Sequence, residues 1–228
     1  MNARRLALVG RNDLTHGELA ARDLRHRFRQ AGVFVASASS SPGAGKTALF
    51  ERTLDALVSV YQIAAIAADP ATDCDARRLA LRRVPVRQIT TGTAARLDAA
   101  MVGRVLDGWD LSDLDFLLIE NVGSLIGSSA YDLGEDLRVV LVSVTEGADT
   151  PLKYPAIFEH ADAAVVTKMD LADAVEFNGE ALHANIEAVR PGVPVFEVSA
   201  RTGVGMRDFL MFLETCRLER TLTELERR

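Results

Sequence analysis

The sequence predicts an α/β fold, a mostly parallel seven-stranded sheet with helices on both faces. Three observations carry this reading. Seven short apolar runs recur along the 228 residues. Most are apolar at every position rather than at alternate ones, as strands covered on both sides by helices must be. The segments between them carry a helical period, and strand–helix alternation of this kind winds into a doubly covered sheet.

The elements follow in order. The first thirty residues read as an additional amphipathic helix, "HGELAARDLRHRFRQAG", closed by Gly32. The strands are then "VFVASA" (33–38), "IAAIAA" (63–68), "VPVRQI" (84–89), "FLLIE" (116–120), "VVLVSV" (139–144), "AAVVTK" (163–168) and "VPVFEV" (193–198). Helical period is clearest in "TALFERTLDALVSV", after the first strand, and in "GEALHANIEAVR", which stops before Pro191. The closing "ETCRLERTLTELERR" reads as a charged helix end that frays. Length suits one domain over 1–228: a helical extension (1–32), a nucleotide-binding core (33–215) and a charged tail (216–228).

Composition excludes several partners. A net charge of −6 is the wrong sign for nucleic acid, whose phosphates need clustered Lys and Arg. The local basic groups at 25–29 and 77–78 read as solvated helix faces. No apolar run reaches the length of a membrane span, and the N-terminus lacks a signal-peptide core, so no membrane partner is expected. The two cysteines, Cys74 and Cys216, form no CxxC pair, which fits a reducing, cytoplasmic setting.

Chemistry gathers where an open parallel sheet places it, at the carboxyl ends of the strands. "SSSPGAGKT" (39–47) follows the first strand and opens a helix, the context that makes a phosphate loop credible. Gly43 and Gly45 let the loop of Pro42, Ala44 and Ala48 turn so that successive backbone N–H groups converge on the phosphates, and Lys46 adds a point charge. The Thr47 hydroxyl is a Mg²⁺ ligand, and the helix N-terminus adds partial positive charge. Ser40 stands where the pattern has its opening glycine and tightens the first bend. Asp69 and Glu120 each finish an apolar strand and are the candidate carboxylates for the cation; Gly123 permits close backbone approach to a γ-phosphate. Lys46, Asp69 and Glu120 are thus the candidate catalytic residues.

Two later loops, "VVTKMD" and "VSARTG", stand in the order of a guanine pocket. Asp170 accepts from guanine N1 and N2, the Lys168 stem lies on the ring, and in the Ser199–Ala200 pair the Ala200 amide meets O6. Adenine lacks those donors, so discrimination on the order of a thousandfold is available. Thr167 replaces an asparagine that would both brace the loop and touch the base, a loss of about 1 kcal/mol. GTP and GDP are the favoured ligands, with ATP as the alternative.

Taken together, "SSPGAGKT", "LDAAMV", "IENVGSL", "DLGEDLRVVLVSVTEGADTPLKYP", "KMDL" and "VSARTGVGM" closely resemble HypB, the GTPase family of nickel–iron hydrogenase maturation. The resemblance runs from about residue 20 to about residue 213; the "SVTEG…PLKYP" segment is specific to HypB, whereas the urease accessory GTPase UreG and the mutase chaperone MeaB share mainly the nucleotide motifs. It implies a SIMIBI-class G domain that forms a homodimer with GTP and Mg²⁺, hydrolyses GTP slowly and helps deliver nickel. The implied partners are a HypA-like nickel protein, a nickel supplier similar to SlyD and the hydrogenase large-subunit precursor. Family members carry a Cys-His pair and a further Cys that bind zinc or nickel; those positions here read Ala95, Arg96 and Gly127, so no nickel or zinc ligands are assigned. An arginine stays protonated and cannot replace a neutral imidazole. His16, His26, His160 and His183 are isolated, and Cys74 is the only thiol near the active face. Two alternatives stay open: a degenerate HypB-like regulator without metal delivery, or a GTPase chaperone of another metalloenzyme such as urease.

Overall fold

The computed structural model describes residues 3–93, 96–125 and 132–226, with side chains from residue 17 onward. Seven strands form one sheet: β1 (Phe34–Ser39), β2 (Ile63–Asp69), β3 (Val86–Thr90), β4 (Phe116–Glu120), β5 (Leu137–Ser143), β6 (Ala163–Thr167) and β7 (Val195–Glu197). Their order is β3-β2-β4-β1-β5-β6-β7, and every neighbouring pair is parallel. This is the sheet the continuous apolar runs predicted, each strand lying within a residue or two of its run.

Among the described residues, eight α-helices cover the sheet: α1 (Ala3–Ala31), α2 (Lys46–Leu57), α3 (Cys74–Ala80), α4 (Ala99–Val105), α5 (Thr150–Lys153), α6 (Pro155–Glu159), α7 (Gly179–Val189) and α8 (Met206–Glu226). Alternation along each strand divides the core into two layers. Phe34, Ala36 and Ala38 of β1 join Leu49 and Leu54 of α2 and Phe209 of α8 on one face. Val33 and Val35 join Leu24 and Phe28 of α1 and Val102 of α4 on the other, which α6 and α7 complete beneath β5 and β6.

The two ends of the chain are more tightly held than their charge suggests. In α1, Ala21, Leu24 and Phe28 recur on one face and are buried. Its basic group is not simply solvated. Arg25 grips both oxygens of Asp132 at 2.7 Å, and Arg27 donates to Leu106 O. Arg78 likewise pairs with Glu51 at 2.6 Å. The segment from Cys216 onward continues α8 to Glu226, so the expected boundary at 215–216 falls inside a helix. Arg217 anchors it by bonding Asp115 and lying over the Tyr61 ring.

Strand order sets the site. β1 lies between β4 and β5, and the chain leaves it in opposite directions on its two sides, opening a crevice at the carboxyl ends. Register places Ala38 of β1 and Ala67 of β2 beside Glu120, so the β4 carboxylate meets the loop that follows β1.

One glycine fixes the approach to the base side. Gly205 has φ +69°, and a Cβ there would fall on the carbonyl oxygen of Glu197. Gly192 has φ +75° but open space around it. Gly205→Ala should therefore cost at least about 3 kcal/mol, strain plus clash, whereas Gly192→Ala should cost about 1 kcal/mol. Thermal or denaturant unfolding of the two variants measures the difference.

Candidate nucleotide site

The loop between β1 and α2 is shaped by backbone conformations that suit glycine. Gly43 (φ +75°) and Gly45 (φ +104°) turn the chain left-handed before α2 begins at Lys46. Lys46, only 7% exposed, donates from Nζ to Ser40 Oγ at 3.0 Å and lies 3.5 Å from Ser41 O. The serine in the glycine position therefore has a role beyond the bend: it holds the lysine. Burial lowers the Lys46 pKa, while Glu120, Asp75 and Glu146 pull it back up. Gly123 closes the loop from the β4 side. A Cβ there would stand 3.0 Å from Pro42 Cα and 3.3 Å from Lys46 Nζ, so this close approach requires glycine.

At the start of α2 the Thr47 hydroxyl lies 2.6 Å from Glu120 Oε1 and 2.9 Å from Asp75 Oδ1. One hydroxyl proton satisfies one acceptor, so two carboxylates and a hydroxyl oxygen crowd together with too few protons. Glu120 is 2% exposed, and its Oε2 has no hydrogen-bond partner. Burial pushes its pKa up to about 7; Asp75 reinforces this, while Thr47, Lys46 and Arg78 oppose it. Crowded hard oxygens around an orphaned buried carboxylate fit a divalent cation, and Mg²⁺ takes one or two carboxylates together with phosphate oxygens and water. Among the described residues no three His, Cys, Asp or Glu side chains gather as a metal-holding cluster.

Asp75 was not legible as a member of this corner. Asp69, the residue singled out with Glu120, ends β2 as expected but turns its carboxylate into its own loop. Its Oδ1 accepts from Ala71 N (2.9 Å), Thr72 N (2.6 Å) and Thr72 Oγ1 (3.1 Å). Burial would raise its pKa, yet these bonds outweigh it and hold the carboxyl below the usual range. Asp69 thereby shapes the turn that leads to α3, where Asp75 stands.

The second half of the crevice is a cavity of about 260 Å³ between β6, β7 and the phosphate loop. Gly45, Ala48, Thr167, Lys168, Asp170 and Ala200 are among its walls. Lys168, one of the lining residues, sits in the left-handed region (φ 60°, ψ 37°), a strained position for a residue with a side chain. Ser199, fully buried, donates to Asp170 Oδ1 at 2.6 Å and fixes the carboxylate. Thr167 revises one expectation. Its hydroxyl donates to Ala44 O at 2.5 Å, so the brace between base pocket and phosphate loop survives the loss of the asparagine.

His183 bonds Glu197 at 2.9 Å, and Cys74 is exposed at the start of α3. Ala95 and Gly127 lie outside the described residues; Arg96 lies within them.

Phosphate loop, cation corner and base-sized cavity on a parallel sheet define a P-loop nucleotide-binding protein. The CobW/HypB/UreG nucleotide-binding domain matches residues 34–197. The hydrogenase maturation factor HypB of Azotobacter vinelandii is 42% identical over 207 residues, which cover 91% of this chain and 67% of that protein. The crystal structure of HypB from Helicobacter pylori in complex with nickel superposes with a TM-score of 0.85 at 34% identity, covering 90% of this chain and 96% of that one. HypB from Archaeoglobus fulgidus gives 0.83 at 35% identity, covering 89% and 99%. The chain belongs to the CobW/HypB/UreG family and, within it, to the HypB hydrogenase maturation factors.

The cation corner carries a pH signature. With its folded pKa near 7 against 4.5 for the free side chain, Glu120 in the nucleotide-free protein holds a proton that the unfolded chain releases. Stability should therefore fall as pH rises from about 4.5 to 7 and stay lowered above that. Glu120→Gln removes this loss, and in EDTA it should stabilise the protein at pH 8 by on the order of 2 kcal/mol, with the gain vanishing at pH 4. Denaturant melts across that range measure it.

Proposed function

We propose that this chain is a GTP-binding, slowly GTP-hydrolysing maturation factor that helps insert nickel into a hydrogenase. The observation that carries the reading is the meeting, at one crevice, of a buried P-loop lysine, a carboxylate-flanked Thr47 and a base cavity holding a fixed Asp170. HypB membership supports the role in maturation.

The chain's residues divide the work. Backbone amides from Gly43 to Ala48 receive the phosphates, with Pro42 shaping the turn before them, and Lys46 gives up Ser40 to meet the terminal ones. Thr47, Glu120 and Asp75 would hold Mg²⁺, with Asp69 supporting the turn that carries Asp75. When bound, the cation neutralises charge on the phosphates. Gly123 lets the β4 loop close on the phosphate side and exclude water. Asp170 accepts from guanine, Ser199 orients it, and Lys168 and Ala200 complete the pocket.

The chain would work as a homodimer assembled on GTP, in the cytoplasm, with a HypA-like nickel protein and the hydrogenase large-subunit precursor as partners. Among the described residues no helix is long and apolar enough to cross a membrane. Nickel is cargo here. The Helicobacter pylori relative was crystallised with nickel, but the family's ligand positions read Ala95, Arg96 and Gly127 in this sequence. Presentation of nickel then falls to the partner, and this departure favours a second reading: a nucleotide-dependent regulator that has lost metal delivery.

Steady-state GTP turnover decides between enzyme and regulator. The wild type should exceed Lys46→Ala by at least about tenfold, because that lysine stabilises the charge of phosphoryl transfer; equal rates would leave only the regulator. Asp170→Asn exchanges an acceptor for a donor and should weaken GTP by about a hundredfold or more while admitting xanthosine triphosphate. Unchanged GTP affinity in that variant would refute the base pocket.

A further inference from the structure

The segment "SVTEG" (143–147) stands outside the phosphate loop, the cation corner and the base cavity. In the fold it is the turn after β5, and it touches the phosphate loop. Glu146 Oε1 accepts from Ser41 Oγ at 2.6 Å, and Ser143 N lies 3.4 Å from the same oxygen. The turn is tightly tied: Glu146 N donates to Ser143 O (2.8 Å), Thr145 N donates to Ser143 Oγ (3.2 Å), and the Ser143 and Thr145 hydroxyls stand 2.8 Å apart. It leads straight into α5, where Leu152 is exposed.

The charge is what makes this contact informative. Three carboxylates act on Lys46. Glu120 and Asp75 meet at Thr47, where a cation offsets them. Glu146 instead bonds Ser41, on the arm of the loop that precedes Gly43. Its negative charge is carried on the very loop that must receive a polyphosphate, and like charges at such range repel strongly where water is partly excluded.

Resting on the reading that this loop binds nucleotide, we propose that Glu146 is a positioning residue that competes with the phosphates. It holds Ser41 in the empty state, and a bound nucleotide drives it off, releasing the 143–149 turn and α5. Nucleotide occupancy and the position of that turn are then two readings of one equilibrium.

Calorimetry with a non-hydrolysable GTP analogue and Mg²⁺, together with hydrogen exchange over 143–149, tests this. Glu146→Gln keeps an acceptor for Ser41 but removes the charge, and should bind the analogue about tenfold more tightly, about 1.4 kcal/mol. Glu146→Asp keeps the charge and should stay near wild type. The analogue should speed exchange in the wild-type turn. A residue with a merely structural role would instead give weaker binding in the glutamine variant. Equal or weaker binding by Glu146→Gln, or a turn protected by the analogue, overturns the proposal. Failure of the wild type itself to bind would strike the proposed function first, so the two failures are distinguishable.

Discussion

One crowded contact organises the active end of this molecule: the Thr47 hydroxyl between the carboxylates of Glu120 and Asp75. Such a cluster is unfavourable by itself, because a buried carboxylate without partners resists ionisation. It persists because three separate pieces of structure over-determine it. β4 ends with Glu120 in register beside β1, α2 begins at Lys46, and the turn braced by Asp69 sets the start of α3. A divalent cation among these oxygens would offset their repulsion.

The two ends of the nucleotide site are mechanically joined. Thr167 ends β6 and bonds Ala44 in the phosphate loop, while Lys168 next to it lines the base cavity. A residue change that removes a base contact therefore keeps the brace. Ser40 behaves similarly. It departs from the glycine pattern, but its hydroxyl occupies Lys46 and keeps the ammonium placed while no phosphate is present. One residue further on, Ser41 bonds Glu146, which ties the loop to the turn after β5. Changes at the loop can thus reach the surface of α5 through few contacts.

Much of this was legible in the sequence. Continuous apolar runs report strands buried on both faces, and the loop motif reports its own backbone, because glycines at 43 and 45 are demanded by positive φ. Asp170 with Ser199 was readable as well, since each follows a strand at its carboxyl end. Contacts made by side chains from distant loops were not. "DPATDCDARR" offers three aspartates, and only the Asx-type turn at Asp69 decides which one faces Thr47. Glu146 is 105 residues from Ser41, and no local pattern encodes that pairing. The depth of α1 was hidden for a similar reason: its basic residues look solvated until Asp132 and the Leu106 carbonyl are brought to them.

The central claim is that the loop after β1 grips a guanine nucleoside triphosphate through a cation held at Thr47. Titrating GTP and ATP into the folded protein by calorimetry, in Mg²⁺ and again in EDTA, tests it most directly. Saturable GTP association in Mg²⁺, far weaker ATP association and a marked loss of affinity on removal of the cation are expected. Absence of heat and of any binding isotherm with either nucleotide would contradict it.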